Sequence, residues 1–233
     1  MSPELYYAVM LITNPQKARR ILLAEELENW FMDLFDEEYE DILEGAFLAN
    51  QSYYIERIVD KYLQTTGVSI SDTDEYSRSV IEQATKKASQ IQESTVRNIL
   101  LPYSKQNKED ENLAEIISFI TAGIAFSSAV YATDKIKEWL DRNRANLIAL
   151  NEANWVCNNE EFYEAKRQGK TKKTWHTALD EKVRLTHIAM EGVTIPIEEP
   201  FHVGAYLMMM PLDESLGAGA EEIINCRCSV SYS

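Results

Sequence analysis

Near the C-terminus, residues 174–180 read TWHTALD, residues 183–187 read VRLTH and residues 225–228 read NCRC. Around them, short β-like runs alternate with a single stretch at helical spacing, from about residue 180 to residue 190. The strand candidates are residues 194–197, 205–209 and 223–232. This alternation predicts a small α+β domain over residues 153–233.

The preceding residues, 1–152, are predicted to form a region of long helices. The chain of 233 residues has only eight Gly and six Pro, which favours long helices over a turn-rich β architecture. Asn14-Pro15 is typical of a helix start. Four apolar residues then recur on one helix face: Leu23, Leu27, Trp30 and Leu34. The predicted fold class is therefore mainly α, with a small α+β C-terminal domain.

Local chemistry predicts further helix ends. Gly67 is expected to end a helix in the left-handed conformation that glycine adopts easily. Asp74 belongs to a cap-rich stretch that opens the next helix. Pro102 is expected to stop that helix, because proline has no backbone N–H to donate.

Residues 142–152 also have a helical pattern, in which Leu147 and Leu150 are expected to face inward. The character of the sequence changes after Asn158-Asn159, which predicts a break there. A short separate helix is then expected to end at Gly169.

Residues 116–133 contain no charged residue, and their length approaches that of a membrane span. They contain several Ser and Thr residues, which makes them a poor lipid-facing segment. We expect two buried helices with a break near Gly123, and no membrane partner.

The formal net charge is −15, which argues against a general nucleic-acid coat. The charges are unevenly distributed, and such runs are usually solvated surface. Residues 25–44 hold ten acids and no base, and form a candidate docking surface. Five bases form a candidate contact for DNA or a protein partner: Lys166, Arg167, Lys170, Lys172 and Lys173.

The three cysteines are Cys157, Cys226 and Cys228, an odd number that does not suggest a secreted disulfide framework. Alternate residues of a strand lie about 6.5–7 Å apart, too far for an unstrained bridge between Cys226 and Cys228. Both are ligand types for zinc, but a single Cys-x-Cys pair leaves few clustered ligands. We expect both cysteines to be structural, beside His187, and expect no metal.

Arg184 and His187 are three residues apart on the predicted helix. With Asp180, His187 forms a candidate acid–base pair. The expected role of Arg184 and His187 is structural, because buried polar groups usually serve to satisfy hydrogen bonds. They are predicted to hold the loop from Gly192 to Phe201 against the terminal strand through hydrogen bonds, with Asp213 as a candidate charge partner.

Taken in order, these C-terminal motifs resemble the Mu protein F-like family of phage head morphogenesis proteins. The resemblance extends upstream to Arg144-Ala145, Ile148-Ala149 and Glu152, so it covers about residues 116–228. It implies a structural motif with twelve members: Trp175, Asp180, Arg184, His187, Gly192, Phe201, Pro211, Asp213, Asn225, Cys226, Arg227 and Cys228.

The resemblance implies a minor capsid protein and not an enzyme. Such a protein associates with the portal and stays inside the phage head, after assembly in the host cytoplasm. Scaffold protein, major capsid protein and packaged DNA are further candidate partners, and a role in DNA packaging or exit is implied.

Two other functions stay open at the level of sequence. One is a metal-dependent hydrolase or nuclease that uses His176, Asp180 and His187. The other is a zinc-stabilised interaction module, for which His202 is a further candidate ligand.

Overall fold

The structure, a computed structural model, describes residues 14–44, 46–104 and 136–233. Four long helices come first and a region of short strands and one-turn helices follows, which confirms the predicted fold class. The long helices are α1 (Pro15–Glu44), α2 (Gln51–Thr66), α3 (Glu75–Ser104) and α4 (Arg142–Arg167). The later elements are β1 (Lys172–His176), α5 (Leu185–Ile188), β2 (Thr194–Pro196), β3 (Phe201–Val203), β4 (Tyr206–Met208), α6 (Ala220–Ile223) and β5 (Ser229–Tyr232).

The predicted helix caps are confirmed, because they depend on chemistry within one turn. The Asn14 side chain accepts a hydrogen bond from the Lys17 backbone N–H at 3.1 Å. Gly67 ends α2 with φ +67°, and Asp74 accepts the Ser77 N–H at 3.1 Å before α3. Only the end of α3 differs: the helix continues two residues beyond Pro102.

The described residues form two compact units. One holds those up to Glu28 together with Asn146–Ser233, and the other holds Asn29–Ala145. The boundary predicted between residues 152 and 153 falls inside α4, and the division into a docking region and an end domain stays a prediction.

The core of the unit Asn29–Ala145 is aromatic and aliphatic. In α1 the buried face is rotated slightly from the predicted stripe: Leu34 is buried as expected, whereas Trp30 is partly exposed and Phe31 and Phe35 take the inner positions. Helices α2 and α3 pack against each other. The small residues Ala84 and Ala88 of α3 are fully buried, as their helical spacing predicts.

Among the described residues of this unit, Glu38, Lys87 and Arg144 are charged and buried. Arg144 donates to the hydroxyls of Ser94 and Thr95 at 3.0 and 2.7 Å, and its guanidinium lies 4.6 Å from the ring centre of Phe35. Glu38 is fully buried and accepts a hydrogen bond from the Gln92 side chain. Burial raises the pKa of Glu38 to about 7, despite the opposing effects of Gln92 and Arg144.

Two predictions about α4 are wrong. The helix is continuous through Asn158 and Asn159, which are buried and do not break it. Leu147 and Leu150 face outward, with 52% and 40% of their surface exposed. The inner positions are taken instead by small residues, among them Ala149, Ala153 and Ala165.

The C-terminal strands form a three-stranded antiparallel sheet in the order β2-β1-β5 and a separate β3-β4 hairpin. The predictions missed β1 and β3. The helix predicted over residues 180–190 is only one turn long, α5. It begins at Leu185, and Arg184 before it has an extended backbone. The strand predicted over residues 223–232 is shorter and follows α6.

The segment 116–133 and the break near Gly123 lie outside the described residues. Among the helices of the described ranges, none has the length and apolar character needed to cross a bilayer.

The buried carboxyl group predicts a pH dependence of stability. In the unfolded chain Glu38 ionises near its ordinary pKa of 4.5, whereas in the folded state its pKa is about 7. Its contribution to stability therefore decreases as the pH rises from 4.5 to 7, because only the unfolded state releases the proton readily. Glu38→Gln removes this loss. As the pH rises from 4.5 to 7.5, we expect the free energy of unfolding of the variant, relative to that of the wild type, to increase by up to about 3 kcal/mol.

Chemical denaturation of both proteins across this pH range measures the difference. Exposed Glu82 of α3 provides the matched control, Glu82→Gln. Parallel pH profiles of Glu38→Gln and the wild type would show that Glu38 is not the titrating group.

Candidate functional site

Three asparagines of α4 hold the backbone of residues 225–228. Asn151 Oδ1 accepts the Asn225 N–H at 3.1 Å. The amide groups of Asn154 and Asn158 donate to the backbone oxygens of Cys226 and Cys228, each at 3.2 Å. The spacing 151, 154 and 158 places the three side chains on one helix face. We call Asn151, Asn154 and Asn158 the asparagine row.

The asparagine row supplies partners where regular structure does not. Residues 225–228 connect α6 to β5 and lie outside both elements. Asn225 has φ +59°, a left-handed conformation that asparagine tolerates better than most residues. A buried carbonyl without a partner is costly, so the amides of the row allow an irregular segment to be buried beside α4.

The imidazole of His187 lies close to the thiols of Cys226 and Cys228. Its Nδ1 is 3.4 Å from Cys228 Sγ and 3.6 Å from Cys226 Sγ. Hydrogen bonding with Cys228 lowers the pKa of Cys226, although burial opposes this. The same hydrogen bond and burial raise the pKa of Cys228.

The other nitrogen of His187 faces Glu222. Nε2 lies 3.0 Å from Glu222 Oε2, and the Thr186 hydroxyl donates to the same oxygen at 2.8 Å. Glu222 is buried as well. Gly204 has φ +59°, and a Cβ there would stand 2.9 Å from Glu222 Oε1, so a larger residue would displace the carboxylate.

Aromatic packing fixes the imidazole from the sheet side. Trp175 of β1 is fully buried, and its ring meets His187 edge-to-face at 5.6 Å and Phe201 at 5.1 Å. Gly192, with φ +73°, donates its N–H to the Trp175 oxygen at 2.9 Å and so extends the pairing of β1 and β2. Sequence analysis placed all four residues in the motif, and the structure brings them together.

The two arginines of the motif bond to different parts of the chain, and for Arg184 the partner is not the predicted one. Arg184 donates to the backbone oxygen of Ile224, so it ties the start of α5 to residues 222–228 and not to the loop 192–201. Arg227 pairs with both carboxylate oxygens of Asp180 at 2.6 and 2.8 Å, on the surface. The acid–base pair proposed for Asp180 and His187 is therefore not formed.

Asp213 was predicted as a charge partner for Arg184 and His187, but in the structure its carboxylate bonds to backbone groups close by in the chain. Its carboxylate accepts the backbone N–H groups of Met209 and Ser215 at 2.7 and 2.9 Å, which fixes the turn after buried Pro211. These bonds are formed within seven residues of chain, an arrangement typical of aspartate in turns.

Lys173 is fully buried, so it is not part of the basic surface predicted from sequence. Its ammonium group donates to the Met209 oxygen at 2.7 Å and lies over the rings of Phe162 and Phe201. Burial lowers its pKa to about 8, and nearby Asp213 limits that decrease.

The other bases differ in exposure. Lys166 lies over Phe162 and 3.6 Å from Glu198, while Arg167 binds Glu164. Arg167 and Lys172 are exposed and Lys170 is partly so.

The remaining histidines do not join His187. His176 Nε2 lies 2.7 Å from the Ser231 hydroxyl and its Nδ1 lies 3.7 Å from Glu191. His202 is exposed on β3. Among the described residues, the only group of three or more ligand types with a shared metal position is His187, Cys226 and Cys228.

Sequence reasoning missed the asparagine row, Glu222 and Arg20. Arg20 of α1 donates to Asn158 Oδ1 at 3.1 Å and to Glu161 at 2.8 Å, so it orients the last asparagine of the row. The spacing of the asparagines was a usable signal. Polar residues separated by three and then four positions lie on the same face of a helix and indicate that this face meets a polar partner.

The asparagine row predicts a specific stability loss. Asn158→Ala leaves the buried Cys228 oxygen and the Arg20 guanidinium without this side chain, so we expect the free energy of unfolding to fall by about 1–3 kcal/mol. The matched control is Asn143→Ala, since within the described residues the exposed Asn143 side chain bonds only to Asp141 in the same turn. Urea unfolding of both variants measures the difference. Equal stabilities of the two variants would show that Asn158 of the asparagine row does not stabilise the fold.

No curated protein and no solved structure matches this chain. Residues 111–231 match the family described as Phage Mu protein F like protein. The match includes the predicted region 116–228 and confirms the resemblance. With more than half of its sequence matched, including β1 to β5 and the asparagine row, the chain belongs to the Phage Mu protein F like family, which links it to phage head morphogenesis.

Proposed function

We propose that this protein is a minor capsid protein that associates with the portal and is retained inside the phage head. The observation that carries the proposal is the family match over residues 111–231. The protein would be made in the host cytoplasm and enter the head during assembly. A role in DNA packaging or exit belongs to the same proposal.

The chemistry of the C-terminal site supports a structural role over catalysis. Its most reactive groups, His187, Cys226 and Cys228, are at most 3% exposed. A substrate would have to displace packed side chains to reach them. Asp180, the acid of the hydrolase alternative, is instead paired with Arg227. A general base must lie within hydrogen-bond reach of the proton it removes, and Asp180 does not lie beside His187.

The acidic stretch of α1 is the proposed portal-docking surface. Asp33, Asp36 and Glu40 are exposed along α1, whereas Glu38 between them is buried. The exposed carboxylates place negative charge where it reaches solvent and a partner. Such charge steers association with a basic surface and contributes mainly to the association rate.

Packaged DNA is a second candidate partner, through a smaller basic surface than the sequence predicted. With Lys173 buried, the surface consists of Arg167, Lys170 and Lys172, beside Lys166. Few phosphate contacts give weak, salt-sensitive binding. This suits a protein that lies beside DNA better than one that coats it.

The portal proposal is tested with the full chain, because a cut at residue 152 would divide α4 and its asparagine row. The triple variant Asp33→Asn, Asp36→Asn and Glu40→Gln removes three exposed charges. We expect its affinity for the portal protein of the same phage to fall roughly three- to tenfold at low salt, with the difference shrinking as salt screens the charges. Surface plasmon resonance at two ionic strengths measures both effects.

The matched control removes three exposed acids from α2 and α3 by Glu56→Gln, Asp60→Asn and Glu82→Gln. It should bind like the wild type. Equal losses in both variants would argue against α1 as the docking surface. A wild-type protein that does not bind the portal at all would overturn the portal association itself.

A further inference from the structure

The geometry points to a zinc site at His187 Nδ1, Cys226 Sγ and Cys228 Sγ. The sequence argument against a metal was that the ligand types are too few and too scattered. The fold brings these three together, so that their donor atoms all lie within 4.8 Å of one another.

The distances suit a tetrahedral ion. With Zn–N near 2.0 Å and Zn–S near 2.3 Å, tetrahedral geometry separates nitrogen and sulfur by about 3.6 Å. The two observed separations from Nδ1 are 3.4 and 3.6 Å. Two soft sulfur donors and one imidazole favour zinc over the hard cations magnesium and calcium.

The far side of the imidazole supports the same assignment. A metal-bound histidine usually donates its second ring N–H to a carboxylate, which fixes the ring orientation and the tautomer. Glu222 Oε2 lies 3.0 Å from His187 Nε2, at ion-pair distance but without the angle of a hydrogen bond, and the Thr186 hydroxyl donates to the same carboxylate oxygen. With zinc bound to Nδ1, the ring proton would sit on Nε2 and face this carboxylate.

Burial and backbone support make the site rigid. His187, Cys226 and Cys228 are 1%, 2% and 3% exposed. Asn154 and Asn158 hold the backbone of the two cysteines from α4. Zinc binding forms two Zn–S bonds and one Zn–N bond, and the two thiol protons pass to the buffer.

Three protein ligands leave one coordination position, and the burial of the cluster restricts it to a donor as small as water. Glu222 faces the nitrogen on the opposite side of the ring, so it is not placed to act as a base on a metal-bound water. The ion is therefore assigned a structural role, joining α5 to residues 226–228.

The test uses the full chain. Purified wild-type protein, measured by elemental analysis after dialysis, should contain one zinc per chain, and chelation should lower its melting temperature. Replacement of zinc by cobalt(II) should give the thiolate charge-transfer and ligand-field absorption bands of a tetrahedral site.

Variants locate the ion. Cys228→Ser and His187→Gln should lose the zinc, whereas Cys157→Ser and His202→Gln should keep it, since those residues lie outside the cluster. Glu222→Gln keeps all three ligands and should weaken zinc affinity roughly ten- to a hundredfold, a change that a merely structural carboxylate would not cause.

Protein without zinc, with no cobalt spectrum and an unchanged melting temperature in chelator, would overturn the assignment in favour of a thiol–imidazole hydrogen-bond cluster. Zinc retained by Cys228→Ser and His187→Gln would place the ion elsewhere. If these variants do not fold, the wild-type zinc content, cobalt spectrum and chelator response decide the question.

Discussion

The C-terminal half depends on one constraint: Cys226 and Cys228 of the irregular segment 225–228 are buried, and the backbone of that segment must be satisfied. The one-turn helix α6 supplies a partner for the Cys226 N–H through the Ile223 oxygen, whereas other groups must satisfy the Asn225 N–H and the Cys226 and Cys228 oxygens. The amides of Asn151, Asn154 and Asn158 do so from α4. Because an unsatisfied buried carbonyl costs as much as a lost hydrogen bond or more, the alternative is an exposed segment. Cys226 and Cys228 would then leave the core and no longer meet His187.

The distance along the chain between bonded partners explains which predictions from sequence succeeded. Helix ends at Asn14, Gly67 and Asp74 were predictable, because each depends on residues within one turn. The break expected after Asn158-Asn159 was wrong because asparagine in a helix was weighed only by its local preference. In the structure Asn158 bonds to Cys228, 70 residues away along the chain, and such a partner cannot be read from local spacing.

The same distinction holds within the site. The order of motifs identified Trp175, His187, Cys226 and Cys228, and the structure does place them together. Their partners depend on tertiary contacts: Arg184 bonds to Ile224 and not to Asp213. Lys173 was grouped with surface bases by charge alone, although alternation along β1 places it on the buried face with Trp175. Recognising β1 as a strand would have predicted that burial.

The residues that carry the family resemblance mostly serve the fold. Trp175, Phe201 and His187 are at most 1% exposed, and the two cysteines are nearly as buried. A resemblance built on buried residues specifies a shared scaffold, while partner choice depends on exposed groups. The acidic surface of α1 lies outside the matched residues 111–231. Whatever partner this chain selects for itself is therefore better sought in the exposed acids of α1 than in the motif, since substitution of Asp33, Asp36 or Glu40 leaves the buried packing of His187 and its two thiols intact.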